Sequence, residues 1–298
     1  MSVDNSLDCN KHPNIWAIEK MSGNDQISSP KTAAEWISAR WPHRPRFGVV
    51  LGTGAGEVAN AIQVEQEFAY QEIPTFPTST AVGHAGKLIC GELCGQKIIA
   101  MKGRFHLYEG YSVETTTIGI RVMHQLGVKK LFISNAAGGI NPNFESGDIM
   151  IIDSHVDLMF RADQSKGIWQ LGRTFANQTD SAYDQEMAHQ AMACARKNDF
   201  AIFRGVYVSM LGPNYETRSE YRFLKKIGGD TVGMSTVPEV AIASQMGMRV
   251  LALSVVTNVA KPDALEATSG DEVVAFADVA APKLRLIIEN AIREDVRR

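Results

Sequence analysis

The sequence lacks the long apolar segments of membrane and secreted proteins. No stretch approaches the roughly 18 uninterrupted apolar residues of a membrane-spanning helix, and the polar residues 1–30 contain no apolar core of a signal peptide. Cationic charge is not in excess either, because 30 Lys and Arg stand against 33 Asp and Glu for a net charge of −3. A nucleic-acid backbone would need a surplus of cations. We therefore expect a cytoplasmic protein that binds neither a membrane nor nucleic acid.

Cysteines and metal-ligand patterns are also scarce. The 4 cysteines are scattered, and the nearest two, Cys90 and Cys94, are spaced as CxxxC rather than as the CxxC of zinc and redox sites. Asp153 and His155 alternate along one predicted strand and could share a face, but no further ligand pairs with them at a suitable spacing. We therefore predict a reduced environment and no metal site.

The residues that are present indicate an α/β fold. With 45% hydrophobic and 21% charged residues, the chain of 298 residues can bury a substantial core. Short runs of Val, Ile and Leu alternate with longer amphipathic stretches, which is typical of a sheet covered by helices. Strands are predicted at 47–51, 97–101, 130–134, 148–153, 205–210 and 249–256, and helices at 32–41, 113–126, 184–197, 217–227, 236–246 and 271–293. We assign residues 1–30 to a polar N-terminal arm without chemistry and residues 31–298 to one domain.

Three helix starts carry the capping-box pattern, in which a hydroxyl residue precedes a Glu by three positions. The pairs are Thr217 and Glu220, Thr236 and Glu239, and Ser269 and Glu272. A short strand at 232–233 leads into the second of these helices. Pro282 lies inside the last predicted helix and is expected to kink or divide it.

Glycine-rich segments follow two of the predicted strands, where ligands collect in α/β folds. Residues 52–57, GTGAGE, offer flexible backbone and the Thr53 hydroxyl to an anion, although they match neither GxGxxG nor GxxxxGK[ST]. Residues 135–139, NAAGG, are predicted to form a turn that lets a ligand approach backbone N–H groups. Taken alone, a tight turn explains the first segment about as well, and packing of a helix on the sheet explains the second.

Charged and aromatic side chains are concentrated at residues 103–110, GRFHLYEG, after another predicted strand. Arg104 can hold a phosphate through two parallel N–H bonds, and Glu109 can orient His106. A solvated Arg and a core His are the alternative, but the position after a strand end favours function. Farther along, Ser235 lies at a predicted helix N-terminus, which is a natural phosphate site. Met234 beside it is of the type that commonly fills a core.

These segments form an ordered series. It consists of GTG at 52–54, GHAG at 83–86, GRFHLYEGY at 103–111, NAAGG at 135–139, GPNYET at 212–217, VGMSTVPE at 232–239 and TN at 257–258. In this order they resemble the motifs of the trimeric purine nucleoside phosphorylase family, from about residue 32 to about residue 258 and more weakly to the last helix. The resemblance implies a single α/β domain with a central mixed β-sheet flanked by helices, assembled as a homotrimer. It also implies phosphorolysis of 6-oxopurine nucleosides, with purine nucleoside and inorganic phosphate as partners and no metal or organic cofactor.

Site residues follow from the same resemblance, position by position. It assigns phosphate binding to Thr53, His84, Arg104, His106, the N–H of Ala136, and Ser235. It assigns nucleoside binding to Tyr108, Phe160, Tyr215, Glu216, Val232, Met234, Thr257 and Asn258, with Phe160 closing the site of a neighbouring subunit. His106, Glu216 and Asn258 are the residues that it implies in catalysis.

The resemblance further implies how the substrate is chosen. Glu216 would accept from N1–H of hypoxanthine or guanine, whereas the unprotonated N1 of adenine would face the carboxylate as a second acceptor. Asn258 would bond N7 and O6 of the leaving base, where negative charge accumulates. Relatives often hold the ribose 5′-hydroxyl with a His, and the aligned residue here is near Gly270. We therefore expect a more open or water-bridged 5′ side.

Three other functions fit part of the pattern. A methylthioadenosine phosphorylase ranks second, because members of that related family carry an Asp where this chain has Asn258. A non-catalytic nucleoside-binding protein would keep the base contacts, but we would expect it to lose the phosphate set of Arg104, His106 and Ser235. A dinucleotide-dependent oxidoreductase could use the turn at Gly52, yet the GxGxxG register is missing.

Overall fold

The computed structural model describes residues 29–78, 85–159, 182–260 and 270–297. Its strands are β1 (Phe47–Leu51), β2 (Gln63–Ala69), β3 (Lys87–Leu93), β4 (Gln96–Lys102), β5 (Lys130–Gly139), β6 (Ile149–Asp157), β7 (Phe203–Ser209), β8 (Thr231–Gly233) and β9 (Arg249–Val259). Its helices are α1 (Pro30–Ser38), α2 (Gly56–Ala61), α3 (Val113–Thr116), α4 (Ile118–Leu126), α5 (Gln185–Lys197), α6 (Arg218–Lys226), α7 (Val237–Gln245) and α8 (Gly270–Val296), with short 3₁₀ turns at Tyr70–Glu72 and Leu107–Glu109.

Strand β5 is at the centre of a mixed sheet. The strand order is β2-β3-β4-β1-β5-β8-β7-β6-β9, and β5 also pairs with β9. Strands β5, β8, β7, β6 and β9 therefore close into a ring, and β1, β4, β3 and β2 extend the sheet from it. β1 is parallel to β4 and β5, and β5 is parallel to β9, whereas β8 is antiparallel to β5. The mixed sheet implied by the sequence is confirmed.

Helices cover both faces of this sheet. The five residues of β1 are all buried, with Val50 in one apolar cluster and Val49 and Leu51 in the other. Helices α1, α4 and α7 contribute to the first cluster, and α2, α5 and α8 contribute to the second. A strand buried on both faces is a continuous apolar run, which is why FGVVL is recognisable in the sequence.

Strands β2 and β3 and helix α2 are absent from the sequence prediction. β2 is at one end of the strand order and exposes its first five side chains, QVEQE. It pairs antiparallel with β3 through its backbone. An edge strand of this kind needs no apolar alternation, so the pattern that predicts half-buried strands is missing.

Two further segments differ from their prediction. Residues 135–139 do not form a turn but continue β5, because β9 pairs with them in parallel as far as Gly139, with a register irregularity after Ala137. The helix predicted at 113–126 is divided at Thr117. The Thr117 hydroxyl donates to the Val113 carbonyl at 2.7 Å, and such back-bonding commonly bends helices.

The last helix runs through its proline. α8 extends from Gly270 to Val296 as one element, so Pro282 does not divide it. Ala280, Ala281 and Leu284 are buried against the sheet while Pro282 is exposed, and this packing supports the helix where the proline removes a backbone bond. Ser269, the capping residue expected for this helix, lies outside the described residues.

Candidate active site

Arg104 is a buried cation just beyond the carboxyl end of β4. It is only 1% exposed. Its Nη1 donates to Ser235 Oγ at 2.9 Å, and to Thr236 Oγ1 and Glu239 Oε2 at 3.1 Å each. Its Nη2 donates to the backbone carbonyl of Ser134. The guanidinium is therefore fixed beside the Ser235 hydroxyl, and the Glu239 carboxylate, which is 4% exposed, balances its charge.

The turn between β8 and α7 is strained. Thr236 has φ +73° and ψ −53°, which is an unfavourable conformation for a β-branched residue. Its hydroxyl accepts from Asn135 Nδ2 at 2.9 Å as well as from Arg104. The capping box predicted at Thr236 is therefore wrong: its side chain makes no cap bond, and Glu239 pairs with Arg104 instead. Strain of this kind is found mainly at functional sites.

His106 is oriented by Glu109, as the sequence predicts. One carboxylate oxygen of Glu109 accepts from the His106 backbone N–H at 2.7 Å and lies 3.2 Å from Nδ1. Because an ionised carboxylate only accepts, Nδ1 carries the proton, and in the neutral ring Nε2 is the acceptor. The Tyr108 ring stacks on the imidazole with 4.7 Å between ring centroids. Burial raises the pKa of Tyr108, and the Glu109 charge adds to this effect.

A second polar group surrounds Gly138 near the end of β5. A Cβ placed on Gly138 would lie 3.4 Å from Tyr221 Oη and 3.7 Å from Asn258 Oδ1. Burial raises the pKa of the Tyr221 hydroxyl, and the charge of the nearby Glu216 carboxylate adds to this effect. Burial raises the pKa of the Glu216 carboxyl, and backbone hydrogen bonding partly offsets that rise. The Thr257 hydroxyl lies 3.3 Å from Asn258 Oδ1.

Met234 and Gly212 connect the two groups. Gly212 has φ +76°, and a Cβ there would lie 2.3 Å from Met234 Sδ and 3.2 Å from Tyr108 Cδ1. Both the backbone conformation and this close approach require glycine. The loop that leads to Glu216 therefore passes against Met234 and Tyr108. Met234 also lines a cavity together with His106 and Ser235.

Two predicted phosphate residues lie in or just after neighbouring strands of the sheet. Thr53 follows β1, where the N–H of Gly52 donates to Ser134 Oγ at 3.2 Å. Ala136 lies two residues beyond Ser134 in β5, the strand whose Ser134 carbonyl accepts from Arg104. The segments that carry Thr53, Ala136 and Arg104 therefore meet at Ser134.

The other residues predicted to bind the nucleoside differ in their exposure. Val232 and Thr257 are buried, whereas Tyr215 is 56% exposed and lies at the surface of its loop. His84 and Phe160 lie outside the described residues.

Sequence reasoning gave no site role to several side chains that complete these groups. They are Ser134, Asn135, Tyr221, Thr236 and Glu239. A signal for Glu239 exists, because the other residues of α7 are apolar as far as Ala243, and a carboxylate among apolar residues needs a charged partner. No comparable signal marks Tyr221, whose helix is amphipathic and which approaches Gly138 alongside Asn258 of the distant β9.

Neither a metal-ligand cluster nor a helix long and apolar enough to span a membrane is found among the described residues. Asp153 forms a 2.6 Å salt bridge with Arg204, and His155 Nδ1 lies 2.8 Å from Tyr183 Oη. These contacts account for the Asp-x-His pattern in β6 through interactions within the protein.

Known proteins are similar in sequence to this chain over most of its length. The sequence model of the Phosphorylase superfamily matches residues 46–293, from β1 into the last turns of α8. Purine nucleoside phosphorylase 1 of Bacillus subtilis (strain 168) is 43% identical over 257 residues, which cover 86% of this chain and 94% of that protein. The chain belongs to the purine nucleoside phosphorylase family.

Solved structures agree with the family assignment. A Schistosoma purine nucleoside phosphorylase in complex with hypoxanthine is 34% identical with a TM-score of 0.79, and the match covers 92% of this chain and 99% of that one. The Schistosoma mansoni purine nucleoside phosphorylase in complex with adenosine is 35% identical with a TM-score of 0.77, over 89% and 96% of the two chains. The purine nucleoside phosphorylase family, fold and enzyme class implied by the sequence are thus confirmed.

Proposed function

We propose that the protein catalyses reversible, phosphate-dependent cleavage of 6-oxopurine (deoxy)ribonucleosides such as inosine and guanosine. The products are the free base and (deoxy)ribose 1-phosphate. The observation that carries the proposal is the 2.9 Å hydrogen bond from Arg104 to Ser235, which joins two residues that the family resemblance assigns to phosphate. Phosphate is a co-substrate in this reaction, and no metal or organic cofactor takes part.

The phosphate half of the site is built around fixed donors. Arg104 is buried and held in place before any anion arrives, so little ordering is needed on binding. Ser235 adds a hydroxyl just before α7, where backbone N–H groups and the helix dipole favour an anion. His106, fixed by Glu109, and Thr53 complete the set, together with the N–H of Ala136.

The base half of the site is the group around Gly138. As a carboxylate, Glu216 accepts from N1–H of hypoxanthine or guanine, and the Asn258 amide bonds N7 and O6. Adenine offers an acceptor at N1, so its complex with Glu216 would leave two acceptors facing each other. Val232 flanks the ring from the buried side and Tyr215 from the exposed side.

The two halves act on opposite charges in the transition state. Breaking the N-glycosidic bond builds positive charge at C1′ of the ribose and negative charge on the purine. Phosphate fixed by Arg104 and Ser235 stabilises the sugar and attacks C1′, while Asn258 stabilises the departing base at N7. Tyr108 and Met234, which meet at Gly212, contact the ribose between them.

Two finer proposals concern the surroundings of the site. We propose a homotrimer in which Phe160 closes the site of a neighbouring subunit, and light scattering of the purified protein measures this mass directly. We also propose an open or water-bridged 5′ side, because the position aligned with the relatives' His is near Gly270, where the sequence has no His to bind the ribose 5′-hydroxyl. Equal catalytic penalties for 5′-deoxyinosine here and in a relative with His at this position would contradict the second proposal.

The test of the proposed function compares inosine, adenosine and methylthioadenosine as substrates, each with inorganic phosphate. We expect inosine to be preferred in kcat/KM. Adenosine is an essential competitor because one structural relative binds it. A preference for methylthioadenosine would replace the proposal with a methylthioadenosine phosphorylase, and cleavage of none of the three would replace it with a nucleoside-binding protein.

Two variants separate the roles of the base residues. Asn258→Ala removes the donor to N7, so we expect turnover of inosine to fall by orders of magnitude. Glu216→Ala removes the acceptor for N1–H, so we expect a loss mainly in base recognition, visible as a reduced preference for inosine over adenosine. Kinetics equal to those of the unmodified enzyme in either variant would remove that residue from its role.

A further inference from the structure

Two successive hydroxyls lie side by side in the turn between β8 and α7. Ser235 Oγ and Thr236 Oγ1 are 3.1 Å apart, although the side chains of successive residues in an extended strand point to opposite faces. Thr236 has φ +73° here and is fully buried, whereas Ser235 is partly exposed and lines a cavity with His106. The strained turn therefore holds a buried hydroxyl against one that solvent or a ligand can reach.

Asn135 contacts the buried hydroxyl from the neighbouring strand. It belongs to β5, is only 3% exposed, and follows Ser134, whose carbonyl accepts from Arg104. Its Nδ2 donates to Thr236 Oγ1 at 2.9 Å. Arg104 Nη1 donates to the same oxygen at 3.1 Å. Two donors from separate strand ends therefore converge on the Thr236 hydroxyl.

The donors in this group follow from the chemistry of the partners. An amide nitrogen and a guanidinium only donate, so Thr236 Oγ1 accepts from both Asn135 and Arg104. The single proton of Thr236 is then left for Ser235 Oγ, which also accepts from Arg104 Nη1 at 2.9 Å. A hydroxyl oxygen has two acceptor sites, and both are now filled at Ser235. The Ser235 proton is thus left to donate to a further acceptor.

We propose that Asn135 and Thr236 are positioning residues for phosphate, which fix the Ser235 hydroxyl as a donor to the anion. The proposal rests on the proposed function, because that function assigns Ser235 to phosphate. Phosphate binds through oxygens that accept, so a Ser235 proton turned toward Thr236 would leave only lone pairs facing the anion. By filling the acceptor sites of Thr236, Asn135 and Arg104 disfavour that orientation before phosphate arrives.

Thr236→Val tests the proposal, because valine keeps the branched shape of the side chain and replaces only the hydroxyl. The Kd of inorganic phosphate, measured by calorimetry, should rise roughly tenfold, the loss for one hydrogen bond to a charged group. The KM for inosine at saturating phosphate should stay as in the unmodified enzyme. Thr236→Ser restores the hydroxyl and should bind phosphate as the unmodified protein does.

Ser235→Ala distinguishes action through the Ser235 hydroxyl from damage to the turn. If Thr236 acts through that hydroxyl, Thr236→Val should raise the Kd by less than about twofold when Ser235 is already Ala.

Asn135→Ala provides the same cycle from the other end of the group, and it serves the test even if Thr236→Val fails to fold. It should raise the Kd roughly two- to tenfold in the unmodified background. In the Ser235→Ala background its effect should disappear as well.

A matched control is Thr231→Val. Thr231 is fully buried in β8, the strand that leads into the same turn, and its hydroxyl contacts Met150 Sδ at 3.9 Å. We expect the Kd of phosphate to stay unchanged in this variant. A rise equal to that in Thr236→Val would overturn the inference, since loss of any buried hydroxyl near the turn would then have the same effect.

The remaining outcomes separate this inference from the proposed function. An unchanged Kd in folded Thr236→Val, or an equal rise with and without the Ser235 hydroxyl, would overturn the inference. Tighter phosphate binding in Thr236→Val would also overturn it, because Ser235 would then have been donating to Thr236. Phosphate binding without cleavage of inosine by the unmodified protein would overturn the proposed function alone. Failure of the unmodified protein to bind phosphate would overturn both.

Discussion

Arg104 and Glu239 form an ion pair buried behind the phosphate half of the site, with 3.1 Å between Nη1 and Oε2. Glu239 comes from the first turn of α7 and Arg104 from the segment after β4, so the pair joins two elements that are 135 residues apart in sequence. It holds the guanidinium against Ser235, and it also keeps a buried cation neutral when no phosphate is bound.

Glu239→Gln should lower the free energy of unfolding by about 3 kcal/mol, which is the lower end of the range for breaking a buried pair, since Gln keeps one acceptor. Saturating phosphate should restore more stability to this variant than to the unmodified protein, because the anion replaces the missing charge. Urea unfolding with and without phosphate measures both effects. The control is Glu35→Gln, because Glu35 forms an exposed salt bridge with Lys31. Equal responses of both variants would contradict the role of Glu239.

Arg104→Lys should lower kcat/KM for phosphate by roughly 10- to 150-fold, the loss expected for one charge-assisted hydrogen bond. Lys keeps the charge, but it cannot reach Ser235, Thr236 and the Ser134 carbonyl with one rigid fork. Steady-state rates at varied phosphate and saturating inosine measure the change. Arg297→Lys, in an exposed salt bridge with Glu294, is the matched control and should behave as the unmodified enzyme.

Glu109→Ala should disturb the tautomer and orientation of His106, although His106 itself is unchanged. The variant loses the acceptor for both the backbone N–H and Nδ1, so the preference for the Nδ1-protonated tautomer should disappear. Nitrogen NMR of the imidazole detects the tautomer directly, and kcat/KM for phosphate should fall at least tenfold. Glu114→Ala, at an exposed position in α3, should change neither. An unaltered His106 tautomer in Glu109→Ala would remove the orienting role.

The pH dependence follows from Glu216. Burial raises its pKa above the ordinary value of a Glu side chain, and the protonated form cannot accept from N1–H. Activity toward inosine should therefore fall as the pH drops through this raised pKa, at a higher pH than an exposed carboxyl would give. In Glu216→Gln this fall of kcat/KM at low pH should be absent. If kcat/KM of that variant still fell at low pH, the titrating group would be a residue other than Glu216.

Local features could be predicted from the sequence, and features that depend on distant contacts could not. The box at Thr217 is confirmed, because Thr217 and Glu220 exchange both cap bonds within one turn. The identical pattern at Thr236 does not form a capping box, because Thr236 and Glu239 both accept hydrogen bonds from Arg104 instead. The order of motifs indicated the family, since each motif is a contiguous segment.

The site shows the same division. Glu109 and His106 are three residues apart, and their contact was predicted correctly from spacing. Tyr221 of α6 and Asn258 of β9 both approach Gly138, and nothing in the spacing of the two residues indicates this. The path of NAAGG was also mispredicted, because glycine and alanine suggest a turn while the pairing of β9 keeps the segment extended.

Release of hypoxanthine from inosine, followed with and without inorganic phosphate, tests the central claim most directly. We predict release that depends strictly on phosphate, with ribose 1-phosphate formed in equal amount and visible by phosphorus NMR. Release of hypoxanthine at the same rate without phosphate, with free ribose as the second product, would contradict a phosphorolytic site around Arg104 and Ser235 and indicate a hydrolase instead.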